Sequence, residues 1–508
     1  MWWSATLSTL WQGSSSSLWL GAVASVFADN GAAVDVDLGW YAPAQTQVNN
    51  LTAVLGGEGV YGFVFNSSET LDEAYGRYNW CNMPHVRPRE YAVAGRAYEL
   101  VYVELVHRHH KRTPYASNAF PVEPYHWDCD DEGLFYHAQP FTTATGTGKD
   151  NTQKVATPAY WKGYTSPTNP FVPAGWLGSC QFPQITAAGL DDSWQHGVDL
   201  YAVYHDLLGF LPGREDTEEE WRTKVKYRVT TNSITSQVAG MVVHGMWRST
   251  TGVPLAVQAA AVDSLEPKYP CAASGSLFDG IRRGEAWVGH LEAEGVRGLY
   301  AVLDDISGVR PDDGGFHASF DHYYDNLSAR QCHGKALPCK LINGVESGEE
   351  CITQGLADEV YRLGQWEYSR LYRDERESLA ASAASFGVWV AELAGHLRGV
   401  VQGDGDGTLW WHNIAHDGSV SRLLSVLQVE VMVWPGMGSE VVFELFRKRG
   451  RDGGGYYVRV LFGGKVMRSS NPSLGVMDML PVETLLAYFD GLVGKGADLV
   501  IGRCNGAV

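Results

Sequence analysis

The sequence predicts an α/β fold in which a central, mainly parallel sheet is flanked by helices and covered by a mostly helical cap. Short runs of β-branched and apolar residues alternate along the chain with longer stretches of helical apolar spacing, the order that produces a parallel sheet. Loop- and helix-rich insertions, mainly 122–215 and 262–395, predict a cap over the carboxyl edge of the sheet. We expect residues 29–98 to form an extension packed on the core and residues 99–508 to form the main domain.

Three segments place strands at the centre of this fold. Residues 99–107 are β-branched and apolar, over a run too short and continuous for an amphipathic helix. The segment "KVKYRVTTN" predicts a strand that runs into the helical "SITSQVAGMVVHGMW". The segment "GTLWWHNIAHDGSVSRLLSVLQ" is typical of a strand, a tight loop and a helix.

The remaining elements follow from spacing and from turn residues. Helices are predicted in "DDSWQHGVDLYAVYHDLLGFL", over 276–305 and over 353–401, where apolar residues recur about every 3.6 positions. "SEVVFELFRKRGRDGGGYYVRVLFGGKVM" predicts two strands joined by a Gly-rich turn and then a further short strand. "PVETLLAYFDGLV" closes the chain as a helix.

Composition limits the classes of function. With 45% hydrophobic and 12% aromatic residues among 508, the chain is too apolar to be disordered. Its 39 Lys and Arg against 58 Asp and Glu give a formal charge of −19, which provides no general surface for nucleic acid or an anionic membrane. Any basic cluster therefore needs a local explanation.

The cysteines and the N-terminal segment favour an oxidising compartment. Eight scattered cysteines without CxxC pairs argue against a structural zinc site and are compatible with disulfides of unspecified pairing.

Residues 18–28, "LWLGAVASVFA", resemble the apolar region of a signal peptide spanning 1–28, with cleavage after Ala28. An apolar segment packed on the domain is the alternative. No later stretch is predicted to span a bilayer. Secretion or a vacuole-like compartment is expected, and N-x-S/T sequons make glycosylation an expectation at Asn50, Asn66 and Asn326.

Positive charge and histidine are concentrated where three predicted strands end. "RHHKRTP" begins at Arg108, Arg228 ends "KVKYR", and His416-Asp417 follows "TLWWHNIA". In an open α/β sheet, ligands bind outside the carboxyl ends of the strands, so the three exits can converge on one site. Arginine presents a planar, permanently charged fork that matches phosphate oxygens, so the group predicts a receptor for a dianion.

One histidine in this group can do more than bind. If His109 attacks phosphorus in line, it forms a phosphohistidine and divides a difficult hydrolysis into two easier steps. Nearby arginines are expected to lower the pKa of His109 and keep the attacking nitrogen neutral. Asp417 is the candidate acid that protonates the leaving alkoxide and then takes a proton from the attacking water.

These residues resemble the motifs of the histidine acid phosphatases, the branch of the histidine phosphatase superfamily that includes acid phosphatases and phytases. "RHHKRTP" resembles the RHGxRxP signature, "AHDGS" resembles the HD motif, and "YRVTTNSITSQVAGM" is similar to the segment that supplies a third phosphate-binding arginine. The resemblance covers roughly residues 99–508, with fungal secreted members the most similar. It implies a phosphoglycerate mutase-like core and assigns His109 as nucleophile and Asp417 as proton donor. It also assigns the phosphate ligands, which are Arg108, Arg112, Arg228 and His416.

The chain departs from the signature at one informative position. His110 stands where the family has glycine, so an imidazole occupies a place where backbone normally approaches phosphate. A metal site built from His107, His109 and His110 is disfavoured, because alternate strand residues need not converge and the arginines would repel a cation. No cofactor or metal is expected. Lys111, at the variable position, faces either the substrate or solvent.

The sequence thus predicts an acid phosphatase acting on small-molecule phosphate monoesters. One alternative is a phytase-like inositol phosphate hydrolase, although the acidic composition favours smaller esters. The other is a secreted, non-catalytic glycoprotein that binds a phosphorylated ligand. The oligomeric state stays open.

Overall fold

The computed structural model describes residues 23–27, 33–60, 79–123, 125–134, 160–164, 166, 168–172, 175–214, 218–450 and 454–506. The predicted signal segment and its cleavage position after Ala28 lie largely outside the described residues, and so does the sequon at Asn66.

The strands form one large sheet and two small ones. Their bounds are β1 (Val23–Phe27), β2 (Ala33–Asp37), β3 (Tyr98–Arg108), β4 (Val225–Arg228), β5 (Leu255–Ala256), β6 (Cys339–Ile342), β7 (Val345–Cys351), β8 (Trp410–Ala415), β9 (Glu440–Lys448), β10 (Tyr456–Phe462), β11 (Lys465–Val466) and β12 (Leu480–Pro481). The large sheet has the order β11-β10-β9-β3-β8-β4-β5, with β12 paired to β10. β1 pairs with β2 and β6 with β7, both antiparallel.

The helices lie on both faces of the large sheet and in the cap. Their bounds are α1 (Leu51–Gly56), α2 (Ala187–Tyr201), α3 (Glu218–Lys224), α4 (Ser233–Trp247), α5 (Ala272–Arg282), α6 (Glu285–Glu292), α7 (Glu294–Ser307), α8 (Asp321–Cys332), α9 (Gln354–Ser369), α10 (Arg376–Gln402), α11 (Asp417–Val426), α12 (Val482–Val493) and α13 (Val500–Cys504).

The predicted α/β class with a mainly parallel central sheet is confirmed. β3, β8, β4 and β5 are parallel neighbours, while β9 joins β3 antiparallel and forms the predicted hairpin with β10. The helix predicted over 276–305 is instead divided into α5, α6 and α7, because Gly284 and Ala293 have extended ψ values at the breaks. The helix predicted over 353–401 is broken before α10 by Glu375, which is also extended.

Alternation along β3 assigns its side chains to two cores. Tyr102 and Val106 pack in the core shared with the cap helices, α10 and α12. Val103 and Leu105 pack in the core that α2 and α4 form on the opposite face. Successive strand residues point to opposite faces, so the odd-numbered His107 continues the α2 side and the even-numbered Arg108 continues the cap side.

The described cysteines are all paired, which fits the expected oxidising compartment. The bridges are Cys81–Cys332, Cys129–Cys180, Cys271–Cys504 and Cys339–Cys351. Among the sequons, Asn326 is 1% exposed and donates a hydrogen bond from Nδ2 to the Asn118 carbonyl at 2.9 Å, so the fold excludes a glycan there. Asn50 is exposed and caps α1.

Within the described part of the chain, α10 is the one helix whose length and composition would allow it to cross a bilayer. The sequence had predicted no such segment after the N-terminal one. Of its most apolar window, 72% is buried inside the protein, where α10 packs against α5, α11 and α12.

Candidate active site

The segment after β3 is held between two other parts of the chain. The backbone N–H of His109 donates to the Ala415 carbonyl at the end of β8, at 3.0 Å. The His109 carbonyl in turn accepts from Gly438 at 3.1 Å. Gly438 has φ +72°, and a Cβ there would lie 2.7 Å from His110 Nε2, so this close approach requires glycine. The exits of β3 and β8 are thereby brought together as predicted.

A cavity of about 280 Å³ opens where these exits meet the cap. Arg108, Arg112 and Asp417 line it together with residues from cap helices α5, α8 and α9. His109 and His416 lie behind this wall rather than in the lining, with exposures of 1% and 7%. Their rings are 5.5 Å apart between centroids.

Each arginine of the signature is oriented by a carboxylate and an aromatic ring. Arg108 donates to the Pro435 carbonyl at 2.6 Å, lies 3.2 Å from Asp417 Oδ2, and has its guanidinium carbon 4.7 Å from the centre of the Trp80 ring. Arg112 lies 2.9 Å from Asp325 Oδ1. Such contacts fix the planar fork before an anion binds.

Arg112 also stacks on Tyr115, with its guanidinium carbon 4.2 Å from the ring centre. Asp325 accepts further hydrogen bonds from the backbone N–H of Tyr115 at 3.1 Å and from Asn118 Nδ2 at 2.8 Å. The carboxylate on α8 therefore joins the cap to the signature loop, a role that sequence reasoning missed. A buried arginine requires a carboxylate partner, but no local pattern in the sequence says which one.

The hydrogen bonding of His109 fixes which ring nitrogen carries the proton. Its Nδ1 lies 3.0 Å from the His110 carbonyl oxygen, which can only accept, so Nδ1 carries the proton and Nε2 keeps its lone pair. Burial lowers the pKa of His109, and the positive charges of Arg112 and Arg108 lower it further. The imidazole is therefore neutral.

Asp417 begins α11, where the amino-terminal end of the helix favours a negative charge. Its Oδ2 accepts from Trp434 Nε1 at 2.8 Å and its Oδ1 accepts from the backbone N–H of Gly418 at 2.8 Å. Burial acts to raise the pKa of Asp417, but the charge of Arg108 and the hydrogen bond from Trp434 outweigh it, so the pKa lies below its ordinary value. The carboxyl group is thus ionised over most of the pH range.

His416 precedes Asp417 and faces the α4 side of the site. Its Nε2 lies 3.0 Å from Thr230 Oγ1 and 3.7 Å from Glu266 Oε2. Burial lowers the pKa of His416, although the charges of Glu266 and Asp417 oppose the shift. The ring lies next to His109, where it can donate to a bound oxyanion once protonated.

Arg228 is not brought to the cavity, which corrects the sequence expectation. In the sheet, Arg228 on β4 pairs with Asn413 on β8, and Asn413 in turn pairs with Val106 on β3. Arg228 therefore lies level with Val106, two residues before Arg108 along the strand direction. Its guanidinium bonds Glu392 at 2.6 Å and Ser264 at 2.8 Å, and lies 3.4 Å from Asp263.

Lys111 faces neither substrate nor solvent. It is 2% exposed and its Nζ lies 2.9 Å from Asp192 Oδ2 on α2. Its charge is therefore used to attach the signature loop to that helix.

No family model and no curated protein matches the chain. Among solved structures, the phytase of Hafnia alvei in complex with tartrate has 13% identity and a TM-score of 0.50, with 80% of this chain and 99% of that chain covered. The Klebsiella sp. ASR1 phytase has 17% identity, a TM-score of 0.48 and coverages of 82% and 98%. The D. castellii phytase has 13% identity, a TM-score of 0.44 and coverages of 83% and 86%. The Hafnia alvei structure, with a TM-score of 0.50, shows a shared fold, and at 13% identity it shows no more than that. The activity must therefore be argued from the site itself.

Proposed function

We propose that this protein is a phosphomonoesterase of the histidine acid phosphatase kind, with a covalent phosphohistidine at His109. The observation that carries the proposal is a neutral imidazole, that of His109, held under the positive charges of Arg112 and Arg108 and next to His416, directly behind a cavity that Arg108, Arg112 and Asp417 line. The resemblance of "RHHKRTP" and "AHDGS" to the family motifs supports the same assignment.

In the first step the phosphoryl group competes with Asp417 and Asp325 for the two guanidinium groups. His109 Nε2 then forms a bond to phosphorus as the bond to the ester oxygen breaks, and the arginines neutralise the equatorial oxygens. The leaving oxygen takes a proton from Asp417, which becomes a carboxylate.

Asp417 acquires the proton that this step needs through substrate binding. Arg108 and Trp434 keep the pKa of the free carboxyl low. A bound phosphoryl group draws Arg108 away and adds negative charge nearby, and both effects raise the pKa of Asp417. Mildly acidic solution then favours the protonated acid.

In the second step Asp417 takes a proton from a water molecule, whose oxygen attacks phosphorus. The bond between phosphorus and His109 Nε2 breaks, inorganic phosphate leaves, and both side chains return to their starting states.

The lining of the cavity favours small monoesters over inositol hexakisphosphate. Arg108, Arg112 and Arg282 contribute positive charge, while the carboxylates of Asp325, Glu367 and Asp417 oppose it. Burial raises the pKa of Asp321 to about 7, so this residue adds little charge in mildly acidic solution. A substrate with many phosphates needs a cleft with a clear excess of positive charge. We further propose secretion, since the described cysteines are all in disulfides.

The test is to trap the intermediate with a ³²P-labelled aryl phosphate by rapid denaturation. Wild-type protein should carry acid-labile, base-stable label, and His109→Ala should carry none. The matched control is His126→Gln, on an exposed loop, which should label like the wild type. Asp417→Asn should still label but lose the label slowly, because its second step lacks a base.

Steady-state rates provide an independent check on Asp417. General acid catalysis contributes about 10²–10⁴-fold, and leaving groups that are already acidic need it least. Asp417→Asn should therefore lose far more kcat on alkyl than on activated aryl phosphates. Equal losses would contradict the acid role. A wild type that binds phosphate but neither labels nor turns over any ester between about pH 3 and 8 would favour the non-catalytic binding protein instead.

A further inference from the structure

Three fully buried histidines meet on the α2 side of the sheet, away from the cavity. His107 ends β3, His110 follows in the signature loop and His196 lies on α2. One ring nitrogen of each lies within 4.8 Å of the others, and all three residues are 0% exposed. The alternation along β3 explains why His107 faces α2 while Arg108 faces the cap.

Two of these rings donate their outer N–H to an acceptor. His107 Nδ1 lies 2.8 Å from the Arg108 carbonyl oxygen, which cannot donate, so Nδ1 carries the proton. His196 Nε2 lies 2.9 Å from Glu440 Oε2, so Nε2 donates to that carboxylate. The lone pairs of these two rings are therefore on His107 Nε2 and His196 Nδ1.

The outer nitrogen of the third ring, His110, also donates its proton, in this case to the hydroxyl oxygen of Ser193. His110 Nδ1 lies 3.0 Å from Ser193 Oγ, and Ser193 Oγ lies 2.6 Å from the Gly189 carbonyl oxygen. The single hydroxyl proton of Ser193 goes to that carbonyl, so its oxygen accepts from His110 Nδ1. The lone pair of His110 is then on Nε2, the inner nitrogen.

The inner nitrogens of His110 and His196 thus face each other without a proton between them, and a ring nitrogen of His107 lies within 4.8 Å of both. His110 Nε2 and His196 Nδ1 are 3.3 Å apart, and His107 Nε2 is buried with no hydrogen-bond partner among the described residues. In the alternative arrangement His110 Nε2 would donate to His196 Nδ1, and Ser193 would have to donate to His110 Nδ1 instead of the Gly189 carbonyl. His107 Nε2 would still have no hydrogen-bond partner among the described residues. Leaving a buried nitrogen without a partner is unfavourable, so a cation at the centre accounts for more of the geometry.

We propose that His107, His110 and His196 bind one divalent transition-metal ion, for which Zn²⁺ is the best match. Tetrahedral zinc with Zn–N bonds of about 2.0–2.1 Å places its nitrogen ligands about 3.3 Å apart. His110 Nε2 and His196 Nδ1 have this separation of 3.3 Å. Ligating histidines almost always donate their other N–H to a carbonyl, carboxylate or similar acceptor, as all three rings do. This ion binds behind the signature loop, on the opposite side of the sheet from the proposed phosphate pocket.

Metal binding is tested on the purified full chain without reference to phosphatase activity. Wild-type protein is incubated with Zn²⁺, desalted and analysed for metal by mass spectrometry, and the experiment is repeated with Co²⁺. We expect one ion per chain and, for Co²⁺, the intense visible absorption of a four-coordinate site with three histidine nitrogens and one solvent ligand. His196→Gln should weaken Zn²⁺ binding more than about 100-fold. Ser193→Ala, which removes only an outer partner, should weaken it roughly 10–100-fold.

The matched control is again the exposed His126→Gln, which should bind Zn²⁺ like the wild type. Wild-type protein that retains no Zn²⁺ and shows no cobalt absorption would overturn the proposal, and this measurement requires no variant to fold. Equal affinity in wild type and His196→Gln, or equal loss in His126→Gln, would also overturn it. A labelled His109 without bound metal would leave the phosphatase standing and remove the metal site, so the two proposals fail separately.

Discussion

Arg112→Met and Arg228→Met distinguish an arginine that we propose binds phosphate from one that supports the fold. Both residues were predicted as phosphate ligands, but Arg112 lines the cavity and Arg228 does not. Methionine preserves much of the apolar stem of arginine and removes the charge. The two variants therefore differ mainly in what the lost guanidinium contacted.

The expected magnitudes follow from those contacts. A hydrogen bond to a charged group contributes about 1.5–3 kcal/mol, so Arg112→Met should reduce kcat/KM roughly 10–100-fold. Arg228→Met leaves the fully buried Asp263 without its ion pair and Glu392, 29% exposed, without its own. Breaking a buried ion pair lowers the free energy of unfolding by about 3–5 kcal/mol. Because Glu392 is partly exposed, we expect a value near the lower end of this range for Arg228→Met. Activity of the folded Arg228→Met should stay within about threefold of wild type.

The assay measures kcat/KM on an aryl phosphate and the urea midpoint of the same preparations. Arg112→Met should also lower the midpoint, because Asp325 loses its partner, so activity is the quantity that separates the variants. The reasoning is refuted if Arg228→Met loses as much kcat/KM as Arg112→Met while its urea midpoint stays at the wild-type value.

Two further predictions concern stability. The pKa of Asp417 in the folded state lies below its ordinary value of 3.8, because Arg108 and Trp434 outweigh burial. The ionised carboxylate therefore stabilises the fold above about pH 4. This contribution to stability disappears as the pH falls through the folded-state pKa. The difference in urea midpoint between wild type and Asp417→Asn should therefore narrow from about pH 5 to pH 3, and a constant or widening gap would contradict this. The second prediction concerns two disulfides: Cys271–Cys504 spans 233 residues and Cys339–Cys351 spans 12. Chain entropy predicts that replacing both cysteines of a bridge by serine lowers the free energy of unfolding by roughly 5 kcal/mol for the long bridge and roughly 3 kcal/mol for the short one. A larger loss at the short bridge, measured by urea unfolding, would contradict the entropic explanation.

Much of the sheet could be predicted because its information is local. The strand predicted at 99–107 is observed as Tyr98–Arg108, and the strand–loop–helix around Asp417 is present as β8 and α11. Parallel strands end at one edge of a sheet, so placing Arg108, Arg112 and Asp417 at one cavity required only the strands and their order.

The parts that could not be predicted depend on distant partners. Arg228 was assigned from its position at a strand end, but register and the carboxylate of Glu392, 164 residues away, direct it elsewhere. Lys111 was left between substrate and solvent because nothing near it in sequence identifies Asp192. The disulfide pairing required the folded chain for the same reason.

The histidine in the family's glycine position is explained by the direction of two neighbouring rings. His109 contacts His416 beside the proposed phosphate pocket, whereas His110 contacts Ser193 and His196 on the opposite face. An imidazole at this position therefore does not crowd a bound phosphate. Instead it ties the signature loop to α2, and any effect on the proposed reaction must pass through the position of the His109 backbone. The sequence analysis disfavoured a metal site built from His107, His109 and His110. In the group proposed above His196 takes the place of His109, and its position 86 residues beyond His110 in the chain gives no local sign of this proximity.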